Sequence, residues 1–272
     1  MDIRYSLADL RGIFDVRITA SDIAEPLEAF AQDEDASEVR VIMDAKDFDV
    51  AGVRKNGRVS GYIEKPDLSQ GSAGECAKSF DVTVLVTEST GLFKLLSRLR
   101  DVPQLFVLDS HQVGAIVTRA DLQKAPVRLF LFGMITLIEM HFLRMIRSEF
   151  DNDSWRSKAR DYVDEAERVF LSRRNRNQAI DLAECLTFTG KVTVVTNTRQ
   201  LCRRLGFDSK ESAQASLERL VDLRNALAHG QDILLGLWPE IIDIVEEAER
   251  ILDQCEKDLR NGERDAGANG GA

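Results

Sequence analysis

An internal repeat in the first 125 residues constrains the fold of this chain more than any other feature of the sequence. Each copy predicts a β-hairpin with a tight turn, followed by a short turn that ends in Asp-Leu. The copies lie about 54 residues apart, and a short amphipathic helix is expected before each hairpin. The predicted helices are 23–31 and 90–100, and the predicted hairpins are 48–63 and 105–117. The sequence therefore predicts a duplicated α/β unit.

The end of the second copy, QLFVLDSHQVGAIVTRADL, occupies residues 104–122. It resembles the second half of a cystathionine β-synthase (CBS) domain, and the repeat as a whole resembles a tandem CBS pair. The resemblance implies that residues 1–125 form a regulatory module. Such modules commonly bind adenine nucleotides, here AMP or ATP, between their two halves.

Two residues of the second copy match the family's nucleotide-binding pattern, a Ser or Thr followed three residues later by Asp. The resemblance implies that Thr118 and Asp121 hold the phosphate and the ribose. In the first copy Glu64 takes the place of the hydroxyl residue, and only Asp67 matches. A carboxylate that faces a phosphate is unfavourable, so we expect one nucleotide per chain. Helix capping is the alternative role for Thr118 and Asp121.

Strand signals largely disappear after residue 125, and the sequence predicts an all-α bundle over 126–260. The β-branched stretch 187–198 is expected to be a loop or an irregular strand pairing. The Gly-rich tail 261–272 is expected to be disordered. The predicted fold class is therefore α+β, an α/β module followed by a helical bundle. The predicted helices are 127–150, 154–177, 180–186, 199–205, 209–228 and 238–260.

The most apolar segment, 127–146, approaches the length of a membrane span but contains four polar residues that are costly at bilayer depth. We therefore expect a helix buried in a bundle or in a dimer core. The start of the chain lacks the pattern of a signal peptide, and the four cysteines are scattered. These features favour a cytoplasmic protein without a zinc site or a disulfide framework. The net charge of -10 argues against a protein that coats nucleic acid non-specifically.

Three polar residues gather at the end of the predicted helix 209–228. Asn225 and His229 lie four residues apart on one face, Arg224 lies to the side, and Gly230 is suited to close the helix. Histidine can accept or donate a proton near neutral pH, and a guanidinium grips phosphate oxygens. The sequence therefore predicts that three polar groups converge at this helix end. A helix terminus decorated with a cation and a cap is the simpler alternative.

The string RNALAH also resembles the signature of the HEPN superfamily, which is Arg, a polar residue, three variable positions and His. The resemblance covers roughly residues 126–260. It implies a metal-independent endoribonuclease that works as a homodimer, with Arg224, Asn225 and His229 of both chains brought together. Asn225 would orient His229 or bind the RNA substrate. Other members have lost catalysis and serve as binding partners or in toxin–antitoxin pairs.

The remaining histidines and a set of basic residues add little to this site. His141 is expected in the core and His111 in an exposed turn. The basic residues predict either a track for an RNA backbone or a solvated face with interspersed acids. They are Arg156, Lys158, Arg160, Arg168, Arg173, Arg174 and Arg176 on one predicted helix, and Arg199, Arg203 and Arg204 on another.

Two functions are consistent with these features. In the first, a CBS module senses an adenine nucleotide and controls a HEPN ribonuclease that needs no metal, in stress response or phage defence. The helix 127–150 would transmit the state of the module and form dimer contacts. In the second, the chain is a non-catalytic, nucleotide-sensing adaptor whose helical domain dimerises or binds a partner protein.

Overall fold

The computed structural model describes residues 6–229 and 238–269. Ile13–Val127 form one unit, which contains both β-sheets, and the described residues before and after them form a second unit. The sequence placed this boundary after residue 125 and assigned the first twelve residues to the first domain. From Arg128 onward every described element is helical, so the chain is a mixture of α and β structure, as predicted.

The elements up to Val127 alternate short strands with short helices. In chain order they are α1 (Leu7–Arg17), α2 (Ala20–Ile23), β1 (Glu25–Pro26), β2 (Ala29–Ala31), α3 (Ala36–Lys46), β3 (Val50–Lys55), β4 (Arg58–Glu64), α4 (Ala73–Cys76), β5 (Lys78–Ser79), β6 (Leu85–Thr87), α5 (Leu92–Asp101), β7 (Gln104–Asp109) and β8 (Gln112–Thr118). Two 3₁₀ turns, Lys65–Asp67 and Arg119–Gln123, follow β4 and β8.

The predicted repeat is present as two four-stranded sheets, ordered β2-β3-β4-β5 and β1-β8-β7-β6. In each sheet the hairpin is antiparallel and one further strand runs parallel to it. The two hairpin turns have the same backbone conformation. Asn56 and Gly57 have φ of 51° and 80°, and Ser110 and His111 have φ of 47° and 69°. Such turns match the twist of paired strands.

The predicted helix 23–31 is wrong. Pro26 lies in β1 and Phe30 in β2, and the helix of the first copy is α3 instead. Pro26 cannot donate a backbone hydrogen bond, which disfavours a helix interior there. Asp35 fixes the start of α3 because its carboxylate accepts the amide of Ser37 at 2.9 Å. The buried face of α3 packs on its own sheet through Val39 and Met43.

The second unit contains six helices among its described residues after Val127. They are α6 (Ala125–Glu149, which starts before the boundary), α7 (Arg160–Arg174), α8 (Phe188–Thr196), α9 (Arg199–Arg204), α10 (Lys210–Ala228) and α11 (Trp238–Asn269). A 3₁₀ turn, Ser154–Lys158, replaces the start of the predicted helix 154–177. The predicted helix 180–186 is wrong, because only a 3₁₀ turn, Ala183–Cys185, forms there. In the described chain α6 alone is long and apolar enough to cross a membrane, and 61% of its most apolar window is buried.

The β-branched stretch 187–198 forms α8, so the predicted loop or strand pairing is wrong. Burial outweighs local propensity here, because Phe188, Val192, Val194 and Val195 are all packed inside. The threonines satisfy their hydroxyls along the helix. Thr196 Oγ1, for example, donates to the carbonyl of Val192 at 3.0 Å.

Helix α11 continues to Asn269, past the predicted end at residue 260, so the expected disordered tail does not begin there. Extending a helix needs no new nucleation, which lets α11 run through Gly262. Two arginines tie its buried face to the rest of the bundle. Arg144 of α6 and Arg204 of α9 both pair with Asp258, each at 2.7 Å.

Candidate functional site

The two residues that match the nucleotide-binding pattern lie side by side at the end of β8. The backbone amide of Thr118 donates to Asp121 Oδ2 at 2.6 Å, and its hydroxyl donates to the same oxygen at 3.1 Å. Asp121 is 6% exposed, and Lys124 Nζ lies 2.9 Å from its Oδ1. The predicted capping contact is therefore present at Thr118 and Asp121.

A cleft of about 550 Å³ opens beside this pair, between the two sheets of the Ile13–Val127 unit. Its walls come from the segment around β1, the loop that leads into β3, the start of β7 and the 3₁₀ turn after β8. Thr118 and Asp121 both line it. The cleft thus offers a hydroxyl and a carboxylate within a half-open recess of the size that small ligands occupy.

The corresponding residues of the first repeat are held by a lysine instead. Lys78 Nζ lies 2.9 Å from Glu64 Oε2 and 2.7 Å from Asp67 Oδ2. The hydrogen bonds to these two carboxylates raise the pKa of Lys78 above its usual value. Asp67 does not line the cleft of Thr118 and Asp121, so the structure separates it from the other two predicted nucleotide-binding residues.

Gln104 is a cleft residue that the sequence analysis missed. It is 6% exposed, lines the cleft, and donates from Nε2 to Glu64 Oε1 at 2.9 Å. Its side chain therefore joins the motif of the first repeat to the cleft of the second. The 54-residue repeat could have identified Gln104, because this polar residue stands at the position that the apolar Val50 occupies in the first copy.

The three residues of the RNALAH motif lie at the end of α10. Arg224 and Asn225 are partly buried, and Arg224 Nη1 donates to Asn225 Oδ1 at 3.4 Å. His229 is exposed and caps the helix, with its backbone amide 3.0 Å from the carbonyl of Asn225. The chain thus brings Arg224 and Asn225 into contact and leaves the imidazole of His229 accessible. Gly230 lies outside the described residues.

Arg128 fixes this helix end and was not identified from the sequence. Its Nη2 donates to the carbonyls of Ala226 and Leu227, each at 3.2 Å. A cation at the last carbonyls of a helix satisfies otherwise unpaired acceptors and opposes the helix dipole. Arg128 of α6 therefore holds the motif-bearing end of α10 in place.

The other two histidines are placed as expected. His141 is fully buried in α6, and burial together with the neighbouring Arg144 lowers its pKa to about 4. His111 lies exposed in the β7–β8 turn. A histidine that is neutral and enclosed cannot meet a large substrate, so His141 is excluded, whereas His111 and His229 are both accessible.

The basic residues do not form one helix face. Arg156 and Lys158 lie in a 3₁₀ turn, and Arg176 lies beyond the end of α7. Several are paired with acids. Arg156 contacts Glu167 at 2.5 Å and Arg173 contacts Glu184 at 3.5 Å. These pairs favour the solvated, mixed-charge face over a continuous track for RNA.

No protein-family model and no curated protein matches the chain. Solved structures similar to it include a CBS domain-containing protein of unknown function from Bacillus anthracis, with 11% identity, coverage of 41% of this chain and 94% of that one, and a TM-score of 0.37. A second is CBSX2 in complex with AMP, with 17% identity, coverage of 41% of this chain and 97% of that one, and a TM-score of 0.37. A third is the CBS domain of the bacterial CNNM/CorC family Mg²⁺ transporter in complex with ATP, with 14% identity, coverage of 42% and 90%, and a TM-score of 0.36. Part of this chain is similar to CBS-domain structures.

Proposed function

We propose that this chain is a cytoplasmic adenine-nucleotide sensor whose helical unit is a metal-independent endoribonuclease. The observation that carries the sensor is the cleft lined by both Thr118 and Asp121. A carboxylate can accept hydrogen bonds from both ribose hydroxyls, and a hydroxyl with nearby backbone amides can meet a phosphate. Asp121 and Thr118 would exchange part of their mutual hydrogen bonding for the ligand.

Calorimetric titration with AMP and ATP tests the sensor. We expect a stoichiometry of about one nucleotide per chain, because Lys78 already pairs with the two motif carboxylates of the first repeat. Asp121→Asn should weaken binding about tenfold or more by removing a charged acceptor. Asp67→Asn is the matched control, because Asp67 is the equivalent carboxylate outside the cleft. Equal loss in both variants would contradict the assignment of the site.

The nuclease proposal rests on the exposed His229 beside a contacting Arg224–Asn225 pair. The 2′-oxygen would attack the adjacent phosphate while the bond from phosphorus to the 5′-oxygen of the next nucleotide breaks. His229 would accept the proton of the 2′-hydroxyl or donate one to the leaving 5′-oxygen, and Arg224 would stabilise the added negative charge. Asn225 would orient His229 or bind RNA. One chain supplies a single exposed histidine at this end, so a second chain would complete an acid–base pair.

Cleavage of mixed RNAs in EDTA tests this chemistry. His229→Ala and Arg224→Ala should each reduce the rate by about a hundredfold or more. His111→Asn removes an exposed histidine elsewhere and tolerates the positive φ of that turn, so it should cleave like the wild type. Wild-type rates in His229→Ala would exclude catalysis by this residue.

A homodimer is supported by the outer face of α6. Leu129 and Phe132 lie one helical turn apart and are 62% and 45% exposed, so together they form an apolar patch on one face of α6. Leu129→Glu should convert a dimer into a monomer, measured by light scattering. An unchanged mass would place the dimer contacts elsewhere.

The same exposed residues favour the alternative function, a non-catalytic sensor that uses this face to bind a partner protein. The two functions differ in the RNA assay. A chain that binds AMP but leaves every RNA intact in EDTA is the adaptor.

A further inference from the structure

The lining of the cleft carries far more acid than base. Besides Asp121, four carboxylates border it, and Arg119 is the one cation among its lining residues. The four are Glu25, Glu28, Asp47 and Asp49. A ligand that fills the cleft therefore meets mainly negative charge at its walls.

The cation at the wall is already engaged. Arg119 Nε donates to the carbonyl of Leu99 at 3.1 Å, and its Nη2 donates to the carbonyl of Arg100 at 3.2 Å, at the end of α5. These contacts direct the guanidinium toward a helix terminus, where a positive charge is stabilised. A polyphosphate would have to compete with them for the guanidinium.

Three lysines outside the wall neutralise part of the acid. Lys46 pairs with Glu28 at 2.6 Å, and Lys65 pairs with Asp49 at 3.3 Å. Lys124 is shared between Glu25 and Asp121. Each lysine already has at least one carboxylate partner, and Asp47 has no ion pair among the described residues. The cleft is thus close to charge balance before any ligand arrives, with no surplus of positive charge.

We infer that this cleft selects a nucleoside monophosphate over the corresponding di- and triphosphates. This inference deepens the proposed function of the cleft and rests on it. Each further phosphoryl group brings negative charge close to the carboxylates of Asp47 and Asp49, which line the cleft and repel it. One phosphate can be met by the Thr118 hydroxyl and backbone amides, whereas two more would have to compete for Arg119 and the three lysines with the partners that these cations already have.

The test is a set of calorimetric titrations of the full chain with adenosine, AMP, ADP and ATP, all in EDTA so that no metal masks the phosphates. We expect affinity to peak at AMP and to fall about tenfold or more from AMP to ATP. The double variant Asp47→Asn with Asp49→Asn should lower the ratio of the AMP affinity to the ATP affinity several-fold. Asparagine tolerates the left-handed backbone of Asp47, which has φ of 57°.

Asp44→Asn is the matched control, because Asp44 also pairs with Lys65, at 3.4 Å, but does not line the cleft. It should leave the ratio unchanged. ATP binding as tightly as AMP in EDTA, or an unchanged ratio in the double variant, would overturn the selectivity and leave nucleotide sensing in place. If none of the four compounds gave a measurable heat of binding, the proposed sensor would be overturned, and the selectivity with it.

Discussion

His141 is an unusual residue because it is fully buried and both of its ring nitrogens lack a hydrogen-bond partner among the described residues. Its nearest charges are Arg144, which opposes protonation, and Asp258, which favours it. Burial dominates, so the pKa falls from 6.5 to about 4 on folding. The folded state must keep this imidazole neutral.

This burial predicts a pH dependence of stability. Between about pH 6.5 and pH 4 the unfolded chain binds a proton that the folded chain does not, so stability is present above pH 6.5 and declines as the pH falls. At about pH 4 the free energy of unfolding should be about 3 kcal/mol lower than above pH 6.5. Urea unfolding followed by circular dichroism at pH 7 and pH 4.5 measures it.

The matched variants are His141→Leu, which should lose this part of the pH dependence, and His111→Asn, which should follow the wild-type curve. An identical pH profile for His141→Leu and the wild type would show that His141 titrates normally in the folded state.

At the level of single residues the sequence identified the polar groups but not their long-range partners. Thr118 and Asp121 are three residues apart, and their spacing predicted the capping contact. Arg224 and Asn225 were predicted to share a site, but the hydrogen bond between their side chains was not predicted. Lys78, Gln104 and Arg128 reach their partners across 14, 40 and 98 residues. Periodicity carries no information about such distances, and only the folded chain reveals them.

The end of α10 depends on an element far away in the chain, because Arg128 of α6 binds its last carbonyls. We predict that Arg128→Met frees this end and lowers the free energy of unfolding by about 1–2 kcal/mol. The amide of His229, which donates to Asn225, should then exchange faster with deuterium.

Hydrogen–deuterium exchange over residues 224–229 is the direct measurement. Arg128→Lys keeps a charge and one donor and should show a smaller effect. Wild-type exchange in Arg128→Met would mean that the contact does not hold the helix end.

Among the elements, those with a clear amphipathic period or turn signal were predicted well, including both hairpins, α5, α6 and α10. The failures have physical causes. Thr, Val and Phe favour strands locally, yet α8 is a helix because Phe188 and the valines are enclosed by other helices. The segment around Pro26 has an apolar pattern that fits a helix, but two short strands pair there with distant partners.

At the scale of the whole molecule, control of RNA by a nucleotide requires that the two ligands influence each other's affinity. Linkage makes this reciprocal, so RNA must change the affinity for AMP by the same factor as AMP changes the affinity for RNA. We expect a factor of about five or more in each direction. Titrations of His229→Ala, the variant that the proposed mechanism expects to leave RNA intact, measure both affinities.

Asp121→Asn, titrated with RNA in the presence of AMP, is the control and should show no coupling. AMP affinity that is the same with and without RNA would mean that the nucleotide does not regulate RNA binding, and would leave the sensor and the nuclease as separate activities of one chain.

The pairing of β1 with β8 has a consequence for how this protein is made. Glu25 opposes Ile116, so a strand synthesised before the first repeat finds its partner only after about 90 further residues have emerged from the ribosome. The sheet of β2–β5 can assemble during synthesis, whereas the sheet of β1, β6, β7 and β8 stays incomplete until the second hairpin is out. A nascent chain therefore forms the cleft beside Thr118 and Asp121 late, and a gene fragment that encodes only the second repeat would lack the edge strand.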